Sequence, residues 1–195
     1  MSDTHVTAGG ARADARVTME EIFDDLITRF RAGSPDRRRR DLMFINVPST
    51  EAVAAITHLK EFWGFRHLVF FTAVDLIERS LFRLTYMLHS YDAGLDVGLQ
   101  ADISRDAPVA DSIHHLWAGA ATYERELKEM FGIDFPGCPR VNEPFALDGW
   151  DDIPPMRRDF DTRAYSERTY FPREGREKHD TIDVMKRELY PEVDL

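Results

Sequence analysis

Glu124 and Glu126, the neighbours His114 and His115, and the lone Cys138 are the residues of this chain whose types could carry a reaction. Paired carboxylates do general acid–base work, histidines bind metals or move protons, and a thiolate is a nucleophile. Their spacing argues against each of these roles. Two carboxylates two residues apart on a helix point about 160° apart, so they do not share one small substrate. Adjacent histidines likewise diverge on a helix, whereas a zinc-binding pair sits at i,i+3 or i,i+4, and no third ligand follows nearby. A structural or solvated role is the plainer reading of both. Cys138, between Gly137 and Pro139, has no base beside it in the sequence and reads as a small residue rather than a nucleophile. Neither G-x-G-x-x-G nor a phosphate-binding loop is present. No catalytic, cofactor-binding or metal-binding residue is therefore assigned to this chain.

The element that must position these groups is a helix running through Tyr123-Glu124-Arg125-Glu126-Leu127 to Phe131. At about 100° per residue, Ala120, Tyr123, Leu127, Met130 and Phe131 form its apolar stripe. Glu124 and Glu126 fall at the edges of the stripe, with Arg125, Lys128 and Glu129 on the far side. Glu124/Lys128 and Arg125/Glu129 are spaced i,i+4 with the acid first in one pair, and as surface pairs would add only about 0.2–0.5 kcal/mol each. Gly132 is placed to end the helix in a left-handed conformation, and Pro136 and Pro139 prevent its continuation.

Several motifs at this spacing resemble one known family. Glu124-Arg125-Glu126 is followed by Met130-Phe131-Gly132-Ile133, then by Phe135-x-Gly137-x-Pro139, then by Trp150 and Pro155-Met156-Arg157-Arg158-Asp159-Phe160. Together they resemble the 30 kDa subunit family of respiratory complex I, the NADH-quinone oxidoreductase C subunit, over about Phe65 to Phe160. Val74-Asp75 matches a Val-Asp that the family carries in a hairpin. The same family occurs in energy-converting membrane-bound hydrogenases and in complexes fed by formate, ferredoxin or a deazaflavin. The resemblance implies a subunit of the peripheral arm on the cytoplasmic face. It would pack against the hydrogenase-like large (49 kDa-type) subunit and the iron–sulfur subunits. It would hold no cofactor itself, the iron–sulfur clusters and an FMN or NiFe centre lying in other subunits. The partner-interface candidates it implies are Glu124, Arg125, Glu126, Arg140, Trp150, Arg157, Arg158, Asp159 and Phe160. Two departures mark a less typical branch: Thr122 stands where the family expects an aromatic residue, and Gly137-Cys138-Pro139-Arg140 stands where many members have Gly-His-Pro and a basic pair.

Composition bounds what the rest of the chain can do. With 195 residues, 43% hydrophobic, the chain can build one ordinary core, and a net charge of −10 opposes binding to nucleic acid or anionic lipid. One cysteine allows no intramolecular disulfide and no multi-thiolate cluster site. No apolar run approaches the roughly 20 residues of a membrane span, and the start lacks a signal peptide's apolar core, so a soluble or peripheral protein in a reducing compartment is expected.

In chain order, residues 1–17 are small and polar and are expected to be disordered. Thr18 and Glu21 form a capping box for an amphipathic helix bearing Ile22, Phe23, Leu26, Ile27 and Phe30, ending near Gly33. The run Arg37 to Arg40 reads as a solvated turn, or as contact with an acidic partner. Leu42–Val47 reads as a strand, and Pro48-Ser49-Thr50 opens a helix carrying Val53, Ile56, Leu59, Phe62 and Trp63 inward. Phe65–Ile77 and Leu81–Tyr91 read as paired antiparallel strands turning at Glu78-Arg79-Ser80, and Leu95–Ile103 adds another. Pro108 is expected to open a further short helix through Ile113, Leu116 and Trp117. The fold expected is α+β: a mixed, mostly antiparallel four-stranded sheet covered by helices, then the Glu-Arg-Glu helix and an extended Pro-rich arm.

The expected organisation is a disordered segment (1–17), an α+β domain (18–135) and an arm (136–195). Seven of the ten prolines lie from Pro136 onward, and the aromatic residues Phe145, Trp150, Phe160, Tyr165, Tyr170 and Phe171 exceed what a solvated linker needs. Aromatic and arginine residues dominate interface energies, so docking on a partner is the expected use of this arm; folding back on its own domain is the alternative. A short final helix over 181–190, ended by Pro191, is also expected. A free-standing α+β binding protein or small hydrolase is the competing reading of the whole chain.

Overall fold

The computed structural model describes residues 18–169. The expectations for residues 1–17, for Tyr170 and Phe171 and for a helix over 181–190 lie outside the described residues. Residues up to Arg158 belong to one compact unit and those from Asp159 to a second.

The first helix, α1 (Met19–Phe30), begins with the capping box read from the sequence: Thr18 Oγ1 accepts from Glu21 N, and the Glu21 carboxylate accepts from Thr18 N. It buries Met19, Ile22, Phe23 and Leu26, and stops at Arg31 in the left-handed region, two residues before the expected glycine. A two-residue strand β1 (Asp36–Arg37) pairs antiparallel with β2 (Leu42–Asn46). Then come α2 (Ala52–Glu61), β3 (His67–Leu76), β4 (Leu81–Ser90), β5 (Leu95–Ser104) and α3 (Ala120–Phe131).

The strands form one mixed sheet in the order β1-β2-β5-β4-β3. It has five strands, not the four expected, because the start of the arginine run folds back on β2. The arginines of that run then meet acids of this chain: Arg37 pairs with Glu20, Arg38 with Asp36, and Arg39 with Asp41 and Asp96. β2 and β5 are parallel, and β5, β4 and β3 are antiparallel in turn. β2, α2 and β3 thus make a split strand–helix–strand unit whose two strands are separated by β4 and β5. The β2–β5 register lays the Phe44 ring on Gly98, where a Cβ would stand 2.3 Å from Phe44 Cδ1, so only glycine fits there without moving the ring.

The alternation of β4 and β5 sends Phe82, Leu84, Tyr86, Leu88, Val97, Leu99, Ala101 and Ile103 to one face. There they join Ile22, Phe23 and Leu26 of α1, Ile56 and Leu59 of α2, and Leu127 and Phe131 of α3 in one core. Phe62, expected inward, lies just past the end of α2. It is 61% exposed and stacks on His58, with ring centroids 5.0 Å apart.

The expected helix after Pro108 does not form. Val109 and Asp134 make a parallel bridge, Ala110 N donates to Asp134 O, and Asp134 N donates to Pro108 O, which draws the segment out straight. A single turn follows, with Leu116 N and Trp117 N donating to Ile113 O. Lys60 Nζ fixes that turn at Leu116 O and lies over the Trp117 ring, while Trp117 Nε1 reaches Arg66 O. These long-range bonds outweigh a weak local helical preference.

In the second unit, α4 (Thr162–Thr169) starts at Asp161, whose Oδ1 accepts from Arg163 N and Ala164 N. This is an N-cap of the ordinary kind.

Candidate interaction site around the Glu-Arg-Glu helix

Helix α3 buries Ala120, Glu124, Leu127 and Phe131, an i, i+4, i+7, i+11 row that contains a carboxylate. Glu124 is therefore not at the edge of the stripe. It is fully buried, and its two oxygens are taken by the stretched segment before the helix: Oε2 accepts from Ser112 Oγ at 2.5 Å and Oε1 from Ile113 N at 2.8 Å. Charge-assisted bonds of this kind are the strong ones, and a buried carboxylate needs them. Ser112 Oγ in turn stands 2.9 Å from His114 Nδ1. His114 and His115 thus sit in a turn rather than a helix, with ring centroids 6.1 Å apart. Among the described residues no group of three or more histidine, cysteine or acidic side chains is placed to hold a metal ion.

Cys138 lies buried close to Glu124. Its thiol is pushed up to about 12, chiefly by burial and then by the hydrogen bond and charge of Glu124, so it stays protonated at neutral pH. A protonated thiol is a poor nucleophile. Burial, then the charges of Glu124 and Asp111, also raise the Tyr86 phenol well above its usual range.

Glu126, two residues on, is half-buried and shares none of these partners. The two glutamates face different surroundings and do not converge on one substrate. Neither expected i,i+4 pair is what anchors these side chains. Lys128 Nζ reaches Asp134 at 2.6 Å, and Arg125 Nη2 donates to Pro144 O at 2.7 Å with its guanidinium over the Phe145 ring. Glu129, which carries no special signal in the sequence, accepts from three successive amides: Phe145 N, Ala146 N and Leu147 N at 2.7–3.0 Å. The signal that could have found it is the carboxylate's place one turn beyond Arg125, beside a proline-interrupted segment that bonds only some of its own amides.

Gly132 ends α3 at φ 77°, as expected. The chain then returns along the helix. Met156 N donates to Met130 O, and Pro154 packs against Gly132. Arg157 lies with its guanidinium 5.3 Å from the centre of the Phe82 ring and donates from Nη2 to Arg105 O. Asp75, buried in β3, accepts from Arg105 Nε at 2.9 Å and Nη2 at 3.2 Å, and also from Arg158 N at 2.9 Å. The Arg158 side chain reaches Glu78. Hydrogen bonds from its own backbone and from Arg158 lower the Glu78 carboxyl. The hairpin Val-Asp and the distant Arg-Arg of the sequence are thus brought together at one point.

Of the remaining interface candidates, Arg140 is exposed, at φ 57°, and 3.8 Å from Glu143. Trp150 Nε1 is directed to Asp152 O and Ile153 O. Asp159 is exposed, and the Phe160 ring lies tilted against Tyr165, with centroids 5.5 Å apart, within the second unit. Around the Arg125 and Arg157 contacts the surface carries Phe145, Ile153 and Met156, each more than a third exposed. Buried anchors thus lie below, and arginine and apolar side chains are presented above.

The family model of the respiratory-chain NADH dehydrogenase 30 kDa subunit matches residues 45–166. The C subunit of the NADH-quinone oxidoreductase of Moorella thermoacetica is 31% identical over 141 residues, covering 71% of this chain and 95% of that protein. The C subunit of the F(420)H(2) dehydrogenase of Methanosarcina mazei is 29% identical over 151 residues, covering 76% and 92%. Among solved structures, a chain of the membrane-bound sulfane sulfur reductase, an archaeal respiratory membrane complex, matches with a TM-score of 0.71 at 23% identity, covering 83% of this chain and 96% of that one, a likeness of fold. No described helix is long and apolar enough to cross a membrane. The chain belongs to the 30 kDa subunit family of the respiratory-chain NADH dehydrogenase.

Proposed function

We propose that this chain is a non-catalytic subunit of the peripheral arm of a membrane-bound, ion-translocating oxidoreductase of the complex I type, at the cytoplasmic face. In this reading it packs against the hydrogenase-like large subunit and neighbouring iron–sulfur subunits, which hold the clusters and the FMN or NiFe centre. The observation that carries it is the match to the Moorella thermoacetica protein, which spans 95% of that relative and so leaves little of its length unaccounted for. A second branch has its own support in the 29% identity to the Methanosarcina mazei F(420)H(2) dehydrogenase protein: a complex of the same build with a different electron donor.

Within that role the face built by Arg125, Arg140, Trp150, Arg157 and Arg158 is the proposed docking side, with residues from Pro136 acting as an arm and Asp159 and Phe160 of the second unit as further docking residues. Glu124 acts from below, by holding the helix against the segment before it, and Glu126 stays at the surface. Met156 at 58% exposure and Ile153 at 41% supply the apolar part of such a contact. Gentle affinity purification of the chain from detergent-solubilised membranes of its host, with mass spectrometry of what accompanies it, tests the role. A hydrogenase-like large subunit, iron–sulfur proteins and multi-span membrane proteins are expected. Recovery of the chain alone from the soluble fraction would overturn the proposal, and a deazaflavin-oxidising module in place of an NADH-oxidising one would select the second branch.

A further inference from the structure

The buried carboxylate of Glu124 and the half-buried ring of His114 are joined by one hydroxyl group. Ser112 Oγ has one proton to give, and it gives it to Glu124 Oε2 at 2.5 Å. Having spent that proton, Ser112 Oγ can only accept from its other neighbours. It does so from His114 N at 3.3 Å, and its remaining neighbour is His114 Nδ1 at 2.9 Å. Two acceptors would repel at that distance, so the imidazole nitrogen must be the donor.

We infer that Glu124, acting through Ser112, holds His114 as the Nδ1–H tautomer and turns its Nε2 into a hydrogen-bond acceptor offered to a cationic side chain of a partner subunit. Nε2 makes no hydrogen bond within the described residues and is not among their buried unpaired polar atoms, so water reaches it. A donor with positive charge suits the place: Asp111 is exposed three residues before, Glu124 is buried beneath with no ion pair among the described residues, and the chain's net charge is −10. An arginine or lysine of the partner would meet an acceptor whose orientation is already fixed, which lowers the ordering cost of the contact. His114 is a positioning and recognition residue here, not a catalytic one. The tautomer stands on this chain's geometry alone, whereas the partner half rests on the proposed subunit role.

The experiment is long-range proton–nitrogen correlation NMR on the full chain with 15N-labelled histidine, carried through a pH series to its alkaline end. The expected spectrum has a pyrrole-type Nδ1 and a pyridine-type Nε2 for His114, and Ser112→Ala returns the ring to the Nε2–H form that an unconstrained imidazole prefers. An Nε2–H tautomer in the wild-type chain, or a spectrum that Ser112→Ala leaves unchanged, overturns the assignment. For the partner half, His114→Phe keeps the ring and removes both nitrogens. It should lower the amount of large subunit recovered with the chain roughly three- to tenfold, the worth of one hydrogen bond. Full recovery with His114→Phe overturns that half alone. Failure of the wild-type chain to bring down any partner would instead sink the subunit role and leave the tautomer result standing.

Discussion

Residues 19–135 and residues 136–158 lie in the same unit but are held by different physics. The first region is a sheet with helices on one face, and its strength is apolar area: Phe82, Leu84, Leu88, Val97 and Leu99 are almost wholly removed from water. The second region has one buried apolar side chain, Cys138, and is fixed by carboxylates and guanidinium groups that meet backbone atoms. Glu129 holds three of its amides, Asp75 a fourth, and Arg125 one of its carbonyls. A proline-interrupted segment satisfies only part of its own backbone, here through turns such as Glu143 N to Arg140 O and Arg157 N to Pro154 O, so a folded domain supplies further partners from outside. The lesson is that acids and arginines which read as surface charge can be the fastenings of a segment with no core.

Breaking the first region should cost most. Phe82→Ala removes a fully buried ring that packs edge-on against Phe131, and should lower stability by about 3–5 kcal/mol in denaturant unfolding. The same ring lies under Arg157, so this change also loosens the attachment of the second region. Next comes Glu124→Ala, which strands the Ser112 hydroxyl and the Ile113 amide in a dry site; a loss of roughly 3 kcal/mol is expected by the same measurement. Glu126→Ala, in contrast, should change stability by less than about 0.5 kcal/mol. Equal effects for the two glutamates would contradict the account of the helix.

A pH effect of intermediate size belongs to the first region. Asp25 is drawn down from 3.8 to about 2: burial alone would raise it, but hydrogen bonds from Arg29, His58 and Trp63 outweigh that. Because the folded value is the lower one, its contribution is whole above about pH 4 and is lost as the pH falls through about 2. The shift corresponds to about 2 kcal/mol. Unfolding curves of wild type and Asp25→Asn should therefore converge as the pH falls from 5 to about 2, and parallel curves would contradict the assignment. A small effect on global stability is also expected of Glu129→Ala. It should shift the unfolding midpoint little, yet speed proteolysis between residues 140 and 150 several-fold, because three amides lose one acceptor at once.

The sheet is legible in the sequence wherever alternation and turn residues agree, as in β4 and β5, and so is α1, whose capping box and apolar stripe stand side by side. The fifth strand is not, since a two-residue pairing of Asp36 and Arg37 leaves no periodic trace. The stretched segment after Pro108 reads locally as a helix because its backbone partners, Asp134 and Glu124, lie far along the chain. Glu124 itself reads as an edge residue, since a carboxylate in an apolar row is visible only once its donors are known. The Asp75, Arg105 and Arg158 junction joins β3 to a site 83 residues later, a separation that motif spacing alone does not bridge.

The comparison of the two regions is tested most directly by hydrogen–deuterium exchange of the chain alone and within its purified complex. Slow exchange is expected for β4 and β5 in both states. For residues 139–158 faster exchange than in β4 and β5 is expected in the isolated chain, slowest at the amides that Glu129 and Asp75 hold, with further protection in the complex, where a partner covers the Arg157 and Met156 surface. If residues 139–158 exchange alike in both states while protection appears on another face, the segment is not the docking side and the proposed interface is wrong.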